Sequence, residues 1–117
     1  KMDLAGEWKA QLEIAMQDTS GIIVPTSVNA HIYFERLRTS IRESICTPLL
    51  ATATVMEPGF HGTPIGHKIS AWVIASSEGY WLAYEPMRGE FFCFWGTSAD
   101  NLGAHGVSGP PLYCWWE

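Results

Sequence analysis

Three short apolar runs in the C-terminal half constrain the fold of this chain more than any other feature. They are KISAWVIAS from Lys68 to Ser76, GYWLAYE from Gly79 to Glu85 and EFFCFW from Glu90 to Trp95. Each run has the length and the β-branched or aromatic content of a strand. The breaks between them are short enough for hairpins. The runs therefore predict an antiparallel meander.

Both faces of these strands are apolar, because Ile69, Ala71 and Val73 alternate with Trp72 and Ile74. A sheet that is apolar on both sides must be covered twice. One cover is the interior of a barrel. The other is either a subunit interface or a helix packed on the sheet. We expect the subunit interface, and therefore a homo-oligomer.

The segment from Glu7 to Asp18 fits two patterns. Trp8, Ala10 and Leu12 alternate with polar residues as in a strand, whereas Trp8, Leu12 and Ala15 also lie at helical spacing. Many of its residues are good helix formers. We predict a strand, with a helix as the alternative.

Further strands are predicted by alternation from Val28 to Phe34 and by the run LLATATVM from Leu49 to Met56. Between them, Leu37, Ile41 and Ile45 form a stripe at helical spacing, which allows one short helix. The run LYCWWE from Leu112 to Glu117 predicts a closing strand.

Glycine and proline predict two long loops, from Glu57 to Gly66 and from Gly96 to Pro110. Loops longer than about 12–15 residues are usually functional or mobile. The second loop is therefore expected to act as the gate of a pocket.

The opening of the chain, with Gly6-Glu7-Trp8, and the number of strands resemble the calycin barrels of the lipocalin, avidin and fatty-acid-binding families. These families often carry Gly-x-Trp on their first strand. The resemblance implies an all-β fold over residues 1–117: one antiparallel up-and-down β-barrel of seven or eight strands. It also implies that Trp8 plugs one end and that the other end admits a small apolar ligand.

Charge and hydropathy exclude several classes of partner. Lys and Arg number 7 against 12 Asp and Glu, which gives a net charge of −5. Phosphate backbones would be repelled, so nucleic acid is not expected. No apolar run reaches the roughly 18–20 residues that span a membrane. If Met2 is the native first residue, no leader has been removed, which predicts a cytoplasmic protein.

The sequence predicts neither a metal nor a cofactor. Cys46, Cys93 and Cys114 lack the close spacing of zinc ligands, which predicts reduced, buried thiols. His61 and His67 flank a glycine-rich segment, but two ligands on a flexible loop are a weak metal signal. The common nucleotide-binding and nucleophile motifs do not occur.

The aromatic side chains, which include six Trp, give the main functional clue. Flat apolar walls with a few N–H and O–H donors suit a conjugated or polycyclic ligand. The alternative is that they fill the core and a subunit interface. The expected ligand-binding residues are Trp72, Tyr80, Trp81, Tyr84, Trp95, Tyr113 and Trp115.

We therefore expect a protein that binds a small hydrophobic or aromatic molecule in an aromatic-lined barrel pocket. The alternative is a cofactor-independent cyclase, isomerase or lyase that folds a flexible substrate in the same pocket. Glu35 and Glu85 would then be general acids if apolar neighbours raised the pKa of their carboxyl groups. His61 would be an acid or base at the barrel mouth. A purely structural domain is a third reading.

Overall fold

The computed structural model describes residues 6–116, which contain five strands and three helices. The elements are α1 (Trp8–Ala15), α2 (Ala30–Glu43), β1 (Ile45–Val55), β2 (Lys68–Ser77), β3 (Tyr80–Glu85), β4 (Glu90–Trp95), β5 (Leu102–Gly109) and α3 (Pro111–Trp116). Strands β2, β3 and β4 confirm the predicted meander. The count of seven or eight strands is wrong.

The five strands pair in chain order, and the sheet closes in a ring. Consecutive strands are antiparallel. Because an up-and-down chain with an odd number of strands returns to its starting direction, β1 and β5 meet in parallel. The fold is therefore an up-and-down, barrel-like ring with small helices.

The interior of the ring is packed around Phe92 and Phe94, which are fully buried and have ring centroids 6.1 Å apart. Phe60, from the loop between β1 and β2, packs edge-on against Phe92. Small side chains, mostly alanine, form much of the surrounding wall. This inner cluster consists of Ala51, Ala53, Val55, Ile69, Ala71, Val73, Ala83, Phe92, Phe94, Leu102 and Ala104, with Cys46, Phe60 and Trp81 packed against it.

The helices cover part of the outer face of the ring. The outer cluster consists of Trp8, Leu12, Met16, Ile41, Ile74, Ala75, Leu82, Tyr84, Phe91, Cys93, Leu112 and Cys114. The chain's own helices thus cover part of the second apolar face of the sheet, whereas Leu50, on the outer face of β1, is 56% exposed. The homo-oligomer stays a prediction.

The strand predicted from Glu7 to Asp18 is wrong, because the segment forms α1. Trp8, Leu12 and Met16 are buried, whereas Ile14 is 73% exposed. A strand would have placed Ile14 on the same face as Trp8, but a helix places every fourth residue there. Trp8 therefore lies in the outer cluster and does not plug the ring.

Helix α2 replaces the strand predicted from Val28 to Phe34. Its N-cap is Asn29, whose side chain accepts a hydrogen bond of 3.1 Å from the backbone N–H of Ile32. Such a cap satisfies one of the N–H groups that a helix leaves unpaired at its start. The predicted stripe is partly confirmed, because Leu37 and Ile41 face the outer cluster.

Two predictions at the C-terminal end are also wrong. The supposed gate from Gly96 to Pro110 contains β5, which pairs with both β4 and β1. The supposed strand from Leu112 is helix α3, and Glu117 lies outside the described residues. Pro111 begins α3 because its fixed φ and missing N–H suit the first turn of a helix. The loop from Glu57 to Gly66 is found between β1 and β2.

We predict that Phe94→Ala lowers the free energy of unfolding by about 3–5 kcal/mol, because it empties the centre of the ring. Met87→Ala is the control, since Met87 is 90% exposed, and it should cost less than about 0.5 kcal/mol. Urea unfolding measures both. A cost for Phe94→Ala as small as that of the control would contradict a packed interior.

Candidate functional site

The seven aromatic residues expected to line one pocket lie in different places. Trp81 packs against the inner cluster, and its indole N–H donates to the carbonyl oxygen of Gly96 at 2.9 Å. Tyr84 belongs to the outer cluster. Trp115 packs against that cluster and donates to the hydroxyl of Ser40 at 2.9 Å. The contacts of these three side chains therefore stabilise the fold.

Two more of the seven, Trp72 and Tyr113, lie on β2 and α3. Trp72 lies on the outer face of β2, opposite Leu50 of β1. Tyr113 lies on α3, with its ring centroid 6.0 Å from that of Trp116. Neither belongs to the inner cluster.

The last two, Tyr80 and Trp95, come together on the outer face, where Trp95 is half-buried and also packs against the outer cluster. They are directly opposite each other in the β3–β4 register, and their ring centroids are 6.0 Å apart in an edge-to-face contact. Trp95 also contacts His105 of β5, at 5.3 Å between centroids and an interplanar angle of 84°. Three neighbouring strands therefore contribute one ring each to a continuous row.

Gly103, opposite Trp95 on β5, allows this row to continue. A Cβ atom there would lie 3.0 Å from His105 Nε2 and 3.2 Å from Met56 Cγ. The side chains of His105 and Met56 therefore meet over the glycine. We call the surface formed by Tyr80, Trp95, His105 and Met56 the aromatic strip. Tyr80 and Met56 are 39% and 43% exposed.

The sequence prediction missed His105 because it lay in the supposed gate loop. Leu102 and Ala104 point into the ring, so His105 points outward by strand alternation. That alternation was the available signal, and the glycines of β5 weakened it. The imidazole of His105 is held by its Nδ1 atom, which lies 3.2 Å from the carbonyl oxygen of Glu57.

Glu35, an expected general acid, is exposed on α2 and engaged by two arginines. Its carboxylate lies 2.9 Å from Arg42 Nη1 and 3.4 Å from Arg38 Nη1. The hydrogen bond from Arg42, assisted by Arg38, holds the pKa of Glu35 below its usual value. This is the opposite of the raised pKa that a general acid needs, and the catalytic role of Glu35 stays a prediction. Arg42 also binds Glu13, which ties α1 to α2.

Glu85 and His61, the other expected catalytic residues, lie on different elements. The carboxylate of Glu85 accepts hydrogen bonds from the backbone N–H groups of Met87 and Arg88, at 3.0 and 2.8 Å, and so closes the β3–β4 turn. His61 is exposed in the loop between β1 and β2. In the described part of the chain, no hydrogen bond or ion pair joins either residue to Glu35.

Two surface grooves elsewhere have some polar groups that are already engaged. One groove of about 350 Å³ is lined by His31, Ile32, Glu35, Arg36, Thr39, Ser40 and Glu43 of α2. Its Glu35 carboxylate binds the arginines, and its Ser40 hydroxyl accepts from Trp115. A second groove, of about 430 Å³, includes Lys68 and Glu85. The Lys68 ammonium there donates to Thr54 at 2.7 Å.

Within residues 6–116, no group of three or more His, Cys, Asp or Glu side chains is placed to hold a metal ion. No helix in that range is long and apolar enough to cross a membrane. The three cysteines are thiols, and burial raises the pKa of the Cys46 thiol.

Comparison of the chain with family models, with curated proteins and with solved structures finds no significant match. The resemblance to calycins therefore gains no support from a relative. A function for this chain has to be argued from its geometry.

We predict that Gly103→Ala is tolerated by the fold and disturbs the strip. The new methyl group meets Nε2 of His105 and Cγ of Met56, and these two side chains must give way by a few tenths of an ångström. Gly106→Ala is the matched comparison, because Gly106 has a φ of +89° and a Cβ there would lie 2.6 Å from the carbonyl oxygen of Gly59. It should cost at least about 1–3 kcal/mol.

Urea unfolding and the indole N–H resonance of Trp95 measure the two effects. Gly103→Ala should move that resonance with a cost below about 1 kcal/mol, since only side-chain atoms are displaced. Equal costs for the two substitutions would contradict the described packing over Gly103.

Proposed function

We propose that the protein binds a small, flat hydrophobic or aromatic molecule, and that this molecule lies on the aromatic strip. The row of three touching rings, Tyr80, Trp95 and His105, is the observation that carries the proposal. Aromatic faces and edges attract flat π-systems by about 0.5–1.5 kcal/mol beyond the burial of area. Met56 adds a polarizable thioether at the end of the row, which also favours aromatic partners.

The outer surface suits such a ligand better than the interior of the ring. A ligand inside would have to displace Phe92 or Phe94, and both are fully buried. Emptying a packed aromatic site costs about 3–5 kcal/mol before any ligand contact is made. On the strip, the ligand covers side chains that are already partly exposed.

The size and charge of the strip favour a small molecule over a macromolecule. Four side chains are far fewer than the roughly 20–30 residues that each partner contributes to a stable protein interface. Rows of rings also bind single-stranded nucleic acid, but those sites combine the rings with a basic groove. The strip contains neither Lys nor Arg, and the net charge of the chain is −5.

The catalytic alternative has less support. The strip lies on β3, β4 and β5 and at the end of β1, whereas Glu35 is on α2 and His61 is in the loop after β1. Glu85 is on β3, but its carboxylate is held by the turn that follows. A cyclase, isomerase or lyase would need such a group beside the bound substrate. On the strip that group would have to be His105, and it is none of the three expected residues.

We predict that phenol binds to the strip more tightly than cyclohexanol, which matches it in size and hydroxyl group but is not flat. Tyr80→Ala should raise the dissociation constant of phenol roughly fivefold, since one aromatic contact is worth about 1 kcal/mol. Titrations followed by amide and indole NMR resonances measure both effects.

Tyr33→Ala is the matched control, because Tyr33 makes a similar edge-to-face contact with Phe34 on α2. It should leave the affinity unchanged. The proposed function fails if phenol binds no better than cyclohexanol, or if the two substitutions weaken phenol binding equally.

A further inference from the structure

We infer that the ligand of the aromatic strip carries an O–H or N–H donor, and that Nε2 of His105 accepts it. This inference rests on the proposed function and narrows it to a chemical class: phenols, and flat rings that bear an N–H group. It makes His105 the residue that determines specificity.

The contact with Glu57 sets the tautomer of His105. Its Nδ1 lies 3.2 Å from the backbone carbonyl oxygen of Glu57. A carbonyl oxygen only accepts hydrogen bonds, so Nδ1 carries the proton and donates it. In the neutral ring, the other nitrogen then has a lone pair and no proton. Nε2 is therefore a hydrogen-bond acceptor.

This acceptor is open to the surface. Among the described residues, every buried side-chain nitrogen or oxygen has a hydrogen-bond partner. His105 is partly buried, and its hydrogen bond to Glu57 uses Nδ1. Since Nε2 makes no hydrogen bond within residues 6–116, it lies at the surface. The inference requires a ligand to reach it there.

The position of Nε2 places it beside a ligand on the strip. It lies 3.0 Å from the point where a Cβ atom of Gly103 would be, and Met56 Cγ lies 3.2 Å from the same point. Trp95 also contacts the imidazole, in an edge-to-face arrangement. The acceptor thus lies beside the side chains of Met56 and Trp95, over which a flat ring would rest.

Fixed acceptors discriminate among ligands of the same shape. A ligand with a donor replaces the water on Nε2 by a hydrogen bond of its own. A ligand without one covers Nε2 and leaves it without a partner, which costs affinity. The neighbouring indole N–H of Trp95 is a donor and cannot take over this role.

Phenol and anisole test the inference, because both are flat and anisole lacks the donor. Wild-type protein should bind phenol about three- to tenfold more tightly than anisole, the usual effect of one neutral hydrogen bond. In His105→Phe the ring stays but the acceptor is lost. The preference for phenol should then disappear, while anisole still binds.

Anisole is more apolar than phenol, and this difference alone changes the ratio of their affinities. The ratio measured with His105→Phe is therefore the reference for the ratio measured with the wild-type protein. The inference is overturned if that ratio equals the wild-type ratio. If His105→Phe does not fold, the inference is overturned by a wild-type protein that binds anisole more tightly than phenol. If the wild-type protein binds anisole and phenol with equal affinity, the inference is overturned and the proposed function stands. Failure of both ligands to bind contradicts the proposed function as well.

Nitrogen NMR of His105 gives a second, ligand-free readout. When the imidazole of His105 is neutral, its proton should be on Nδ1. A proton on Nε2 would make that nitrogen a donor and would overturn the inference directly.

Discussion

A ring of five strands has room for few side chains, and Phe92 and Phe94 take that room. Their stacked rings are possible because five of the other nine members of the inner cluster are alanines. Closure of the ring also fixes the direction of β5, which must run parallel to β1. Interior packing and ring closure therefore support each other, and both limit what else the ring can hold.

Phe60 and Trp81 pack against this inner cluster, and the other aromatic side chains lie outside the ring. Some lie under the helices, where Trp8 and Tyr84 join the outer cluster. Others stay at the surface, where Tyr80, Trp95 and His105 form the aromatic strip. The surplus of aromatic residues thus has two destinations, one that stabilises the fold and one that is available to a ligand.

Local pattern was enough to predict β2, β3 and β4, because their runs are apolar on both faces and are separated by tight turns. It was not enough for α1, where alternation and helical spacing coexist and the sheet beneath decides between them. Strand β5 was hidden because its glycines remove the apolar alternation that marks a strand. Pro48 within β1 similarly obscured the start of that strand, where the ladder is irregular between Ile45 and Leu49.

The aromatic strip was harder still to predict from the sequence. Tyr80 and Trp95 were expected to bind ligand, but their contact depends on the β3–β4 register. The place of His105 depends on the pairing of β4 with β5, and that of Met56 on ring closure between β5 and β1. These are long-range pairings, and no local pattern encodes them.

The central claim is that the ring is filled and that a flat ligand binds outside it. Isotope-filtered NOE spectroscopy of the protein with phenol tests this most directly. Contacts from the phenol protons to the indole of Trp95 and the methyl group of Met56 are the expected result. Contacts to the rings of Phe92 and Phe94 would place the ligand inside and contradict the claim.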